Sequence, residues 1–118
     1  MTITQAMCTS FKSEILTEGH QLATDTIKIA LYTSSATLNA TTTAYSTSNE
    51  ISGTGYTAAG VTLTSAAVST TGTTAHFDAD DPSWTSASFT ANGALIYNSS
   101  NSNKAIAVLA FGGDFTVA

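Results

Sequence analysis

The hydrophobic period of this chain changes once, near Asp25, and that change constrains the fold more than any other feature. Before it, Met7, Phe11, Ile15, Leu16 and Leu22 recur near helical spacing, with Thr9 or Ser10 able to cap the start and Gly19 suited to stop it. The spacing predicts one short helix over residues 10–22, its apolar stripe lying on a sheet. After it the period is two: Ile27, Ile29 and Leu31 alternate with Lys28, Ala30 and Tyr32, the pattern of a strand with one buried face.

Short strand patterns continue to the end of the chain, at Val61 to Val68, Thr74 to Phe77, Ser83 to Phe89, Ala94 to Tyr97, Lys104 to Phe111 and Phe115 to Val117. Turn signals separate them: Gly72, Asp80-Asp81-Pro82, Asn92-Gly93, the Asn98 to Asn103 run and Gly112-Gly113. Ala105 to Phe111 lacks polar alternation, so it reads as a strand covered on both faces. Ala94 to Tyr97 is its expected partner across the Asn-rich turn, and this hairpin is expected at the middle of the core. The whole predicts a mainly β protein: one domain over residues 1–118, an antiparallel β-sandwich or barrel-like fold over 25–118 behind one N-terminal helix. A sandwich of this size leaves a free edge, which a neighbouring subunit could cover.

Composition agrees. Of 118 residues, 38 are Ser or Thr, while charged residues make up 9%. Thr fits a pleated strand and Ser fits turns, so short neutral hydroxyls rather than charges keep such a surface wet. The 42% hydrophobic content and single Pro argue for a folded chain. There is no Arg, and three Lys face eight acidic residues, a balance opposed to nucleic-acid binding. No apolar run approaches the ~20 residues of a membrane span, and the N-terminus does not read as a signal peptide.

Few residues suggest chemistry. Cys8, the one cysteine, sits beside Met7 and Phe11 and reads as a small buried hydrophobe, with a reactive thiol at a helix N-terminus as the other reading. His20 and His76 stand far apart without a second ligand at metal spacing. Asp78, Asp80 and Asp81 gather carboxylates as calcium loops do, but lack the Gly and distal Glu of such a loop; a solvated turn before Pro82 explains them as well. No nucleophile elbow, dinucleotide fingerprint or phosphate loop occurs, so the expectation is a protein that is not an enzyme and needs no cofactor. Trp84, Tyr32, Tyr45, Tyr56 and Tyr97 would make a stacking platform if several shared a face; core packing accounts for most of them more simply. Tyr45 lies in the hydroxyl-rich stretch from Ser34 to Asn49, a long excursion read as a candidate contact surface, and is expected to be the least core-like of them.

Three stretches taken together, MCTSFKSEILTEGHQL, DTIKIALYTSSATLNATTTAYSTSNEISGTGYTAAG and ANGALIYN followed by KAIAVLAFGGDFTV, resemble a family of small virion structural proteins of tailed bacteriophages, cyanophages included. The resemblance covers nearly the whole chain and is weakest from about Ser65 to Phe77. It implies a noncatalytic β-fold particle protein, and the role it favours is a capsid cement or decoration protein on the outer surface of the phage head. Such a protein would bind the major capsid protein at local threefold positions and assemble with itself as a homotrimer. One departure is local: Ala91-Asn92-Gly93-Ala94 stands where the family has Ala-Arg-Gly-Ala, so no salt bridge of that Arg carries over.

For the grip on a shell, the segment from Met1 to Cys8 is the first candidate, because Thr2, Ile3 and Thr4 alternate like a strand before the helix begins. It reads either as an arm that orders by adding to a neighbour's sheet or as an edge strand of its own domain. In the first case, deleting Met1 to Gln5 weakens attachment and leaves the fold intact. The expected contacts are thus Thr2, Ile3, Thr4 and Tyr45. The competing reading is a tail, baseplate or receptor-binding tip protein, which would gather exposed aromatics at one end. A secreted carbohydrate-binding module would share the composition but would carry a signal peptide or linker.

Overall fold

The computed structural model describes residues 3–17, 20–22, 24–64, 67–79, 84 and 87–117. Among the described residues there are seven strands, all paired antiparallel, and one helix: β1 (Ala6–Met7), α1 (Thr9–Leu16), β2 (Ile27–Tyr32), β3 (Val61–Thr62), β4 (Ala67–Thr71), β5 (Thr74–Asp78), β6 (Phe89–Asn98) and β7 (Lys104–Val117). Five strands form one sheet in the order β1-β7-β6-β2-β3, and β4 and β5 form a separate hairpin. The protein is therefore mainly β with one short helix, as the change of period predicts.

The expected hairpin is the centre of the sheet. β6 lies in the middle, with Leu95 opposite Val108 and Ala94 opposite Leu109 on β7, and with Ile29 to Leu31 of β2 opposite Ile96 to Ala94 on its other side. Because successive side chains point to opposite faces, two cores form. One gathers Ala30, Tyr32, Leu95, Tyr97 and Val108 beneath Ile3, Phe11, Ala36 and Leu38. The other gathers Ile29, Leu31 and Ala94 with Ile51, Ala87 and Phe89. The second layer is thus made largely of helix and irregular chain. Both edge strands are only two residues long, one of the ways proteins blunt a sheet edge.

Two turn signals have another meaning. Asn92-Gly93 and Gly112-Gly113 lie inside β6 and β7, which run on as single long strands. At Gly93 a Cβ would stand 2.7 Å from Ile3 Cγ2 and from the Leu109 carbonyl oxygen, so the glycine lets the N-terminal segment cross close over the sheet. Gly112, at φ +81°, belongs to a bulge in which Phe111 to Asp114 of β7 face only Asn92 of β6.

The helix stops at Leu16, six residues before the expected end. Glu14 turns back to meet His20, with Oε1 at 2.8 Å from Nε2. A continuing helix would hold those residues about 9 Å apart along its axis. Only Phe11 of the helix is buried, while Leu16 is 84% exposed, so the stripe lies only partly on the sheet. Gly19 lies outside the described residues, and no helix among them is long and apolar enough to cross a membrane.

Candidate functional site

Four side chains were singled out as contacts, and the structure separates them. Thr2 lies outside the described residues. Ile3 is buried and pairs in parallel with Leu38, while the Thr4 N–H donates to the Leu38 carbonyl at 2.8 Å. Met1 to Cys8 is accordingly not free where it is described: Ile3 lies over Gly93 of the sheet, Ala6 and Met7 pair with β7 at its edge, and Thr4, Gln5 and Met7 are exposed. Tyr45 is less buried than Tyr32 and Tyr97, in keeping with its expected place as the least core-like of them. It is half-buried, stacks on Tyr97 with ring centres 4.7 Å apart, and donates to Glu50 Oε1 at 2.5 Å. A ring held on both sides in this way anchors the excursion to the rest of the molecule.

Glu50 is the centre of that anchor. Tyr56 donates to its Oε2, the Ala59 N–H donates to the same oxygen at 2.8 Å, and the Tyr56 oxygen accepts from the Leu31 N–H at 3.1 Å. Tyr97 donates to the Ala59 carbonyl and Tyr32 to the Ser46 carbonyl, each at 2.6 Å. The excursion and the loop after it are therefore pinned to the outer side of β2. Burial pushes all four phenols above the ordinary tyrosine range; the bonds to Glu50 add to this for Tyr45 and Tyr56, and Tyr97 reaches about 12. These phenols stay protonated at any physiological pH, which suits structural donors and not acid–base catalysts.

A second buried network closes the end of the sheet where β6 turns into β7. Asn98 Oδ1 accepts from the Ser100 N–H at 3.0 Å, which fixes its Nδ2 to donate to Asp25 Oδ2 at 2.7 Å and toward His20 Nδ1 at 3.0 Å. With Nδ1 as acceptor, the neutral His20 ring carries its proton on Nε2, facing Glu14. The Asn98 bond, followed by the Gln21 amide, holds the Asp25 carboxyl below its usual range. Cys8 is fully buried, and burial followed by the Glu14 charge pushes its thiol up, so it is the small hydrophobe of the first reading. His76 is tied to Ser69 at 2.7 Å across the β4-β5 hairpin. Asp78 ends β5 in solvent, Asp80 and Asp81 lie outside the described residues, and no metal-ligating group of three forms among the described ones.

Two concavities among the described residues bear on function. One, of about 440 Å³, lies under the excursion and is lined mostly by Ser, Thr and Asn residues, with Tyr32, Ala36, Leu38 and Ala44 and no charged residue. The other, of about 450 Å³, is an apolar groove where α1, β1 and the β4-β5 hairpin meet the sheet, lined by Met7, Phe11, Ile15, Val68, Phe77 and Ile106 among others. Three of its large apolar residues are well exposed: Met7 at 51%, Val68 at 49% and Ile15 at 46%. Scattered exposed apolar residues are ordinary, but a gathered apolar concavity on a surface otherwise made of hydroxyls marks a contact site. Sequence reasoning missed it because its walls come from four separate parts of the chain. The adjacent pair Ile15-Leu16, too broad for the buried stripe of an eight-residue helix, was its one local sign. No family model, no curated protein and no solved structure matches this chain.

Proposed function

We propose that this chain is a noncatalytic structural protein of a tailed-phage particle: a capsid cement or decoration protein that binds the major capsid protein on the outside of the head at local threefold positions. The sequence resemblance supplies the particle, and the apolar groove is the observation that favours a role in contact. A rigid sheet with both faces covered presents this groove in fixed geometry, and many identical copies on one shell convert weak single contacts into firm attachment. The pinned phenols and the buried Cys8 leave the described residues better suited to holding shape than to chemistry.

The tail or receptor-tip reading has one observation of its own. Phe111 and Phe115 stack with centres 5.8 Å apart near the far end of β7, where Phe115 is 59% exposed. Cryo-electron microscopy of intact virions decides between the two. Density at many local threefold positions of the head is the expected result. Density confined to the tail in a few copies would replace the decoration role with an adsorption or baseplate role, and absence from the particle would end both.

A further inference from the structure

The groove needs an occupant, and the same molecule carries a fitting one. Five large apolar side chains are exposed among the described residues: Met7, Ile15, Leu16, Val68 and Phe115. The first four line or flank the concave groove. Phe115 lies away from them on the β6-β7 ribbon, opposite Ala91 and stacked on Phe111. From Ala107, at the groove, to Phe115 is eight residues of β7, roughly 26 Å at strand rise before the bulge shortens it. Phe115 is also held opposite Ala91, and the neighbouring Phe89–Val117 and Thr90–Thr116 pairs fix the ribbon's direction, so the arm does not bend back into its own groove.

Charge agrees with shape. Asp114, exposed and next to Phe115, holds Asn92 Nδ2 through Oδ1 at 3.0 Å, which places a carboxylate beside the phenyl ring. Lys12 is exposed on α1, three residues before the groove-lining Ile15 and so its neighbour on the helix surface. The outer edge of β7 adds a third feature. Cys8, Gln5 and the residues around Ala44 bond to β7 up to Ala110, whereas for Phe111 to Thr116 no backbone partner other than β6 occurs among the described residues.

We infer that the occupant is a second copy of this chain: the Phe115 knob of one copy enters the Met7, Ile15 and Val68 groove of the next, with Asp114 beside Lys12. Knob and groove are different surfaces, so the contact is head-to-tail, and such contacts propagate until they close as a ring. Three copies would meet the threefold site proposed above. The self-contact itself belongs to the isolated chain and stands whether the particle carries it on head or tail.

The test uses the purified chain without capsids. Wild type is expected to sediment as a closed oligomer. Phe115→Ser, which removes the knob, and the double variant Ile15→Gln with Val68→Gln, which wets the groove, are each expected to sediment as single chains with unchanged circular dichroism. Mixed one to one, these two variants are expected to form a heterodimer, because one retains the groove and the other the knob. Lys12→Glu is expected to weaken the oligomer, and adding Asp114→Lys to restore it. Wild type that remains a single chain well above micromolar concentration, variants that keep the wild-type size, or a mixture that stays as single chains would each overturn the inference.

Discussion

Replacing Glu50 by Gln keeps the shape of the side chain and removes the charge that two phenols and the Ala59 amide share. Hydrogen bonds to a charged group are each worth about 1.5–3 kcal/mol, against about 1 for a neutral pair. Weakening this set while keeping an acceptor in place is expected to cost roughly 2–3 kcal/mol. The expected readout is a lower urea midpoint with an unchanged slope; an unchanged midpoint would show that the carboxylate is not what pins the loops. Asp25 gives a change with a different pH signature. Its carboxyl is held below the ordinary range by Asn98, so its contribution is present above the unfolded value of ~3.9 and is lost as pH falls through the folded one. Asp25→Asn should therefore lower the thermal midpoint at neutral pH, and the gap to wild type should close on acidification below about pH 4. A gap that stays constant with pH would remove the charge from the explanation.

At the scale of elements, the N-terminal segment changes meaning. Alternation at Thr2, Ile3 and Thr4 allowed either a free arm or an edge strand; Ala6 and Met7 form the edge strand on β7, and Ile3 before them is buried over Gly93 and bridged to Leu38. Deleting residues 1–5 is then expected to cost stability. It removes one buried Ile, worth about 1.5–3 kcal/mol. It also removes the Thr4–Leu38 hydrogen bond, worth about 1. A loss of roughly 3 kcal/mol in chemical unfolding is expected from these two terms; an unaltered unfolding curve would return the segment to the status of an arm. Strand β2 and the β6-β7 hairpin were legible because alternation and an Asn-rich turn are local signals. The glycines were not, since Gly93 answers to a side chain that crosses from ninety residues away, and Gly112 to a bulge. The partners of Tyr45 were illegible for the same reason: Tyr97 and Glu50 are brought to it by the fold.

For the whole molecule, the four tyrosines join parts that no single element connects. Tyr32 comes from β2, Tyr45 from the excursion, Tyr56 from the loop before β3 and Tyr97 from β6, and all are held neutral by burial. The groove was illegible in sequence because it too exists only at this scale, once Met7, Ile15, Val68 and Ile106 are brought together. The phenols make the integrity of the fold measurable. Each folded value is raised above the unfolded ~10, so their contribution is complete below pH ~10 and is lost as pH rises toward the folded values, about 12 for Tyr97 and higher for the others. Alkali should thus destabilise the protein progressively from about pH 10, with little phenolate absorbance while the chain stays folded. The phenols are then expected to ionise together as β-sheet circular dichroism collapses in one transition. Glu50→Gln should move that transition in two opposed ways, lowering overall stability while easing the charge that resists ionisation of Tyr45 and Tyr56. If phenolate absorbance instead rises near pH 10 with the sheet signal intact, the tyrosines are solvated, and the excursion does not close over the sheet in solution.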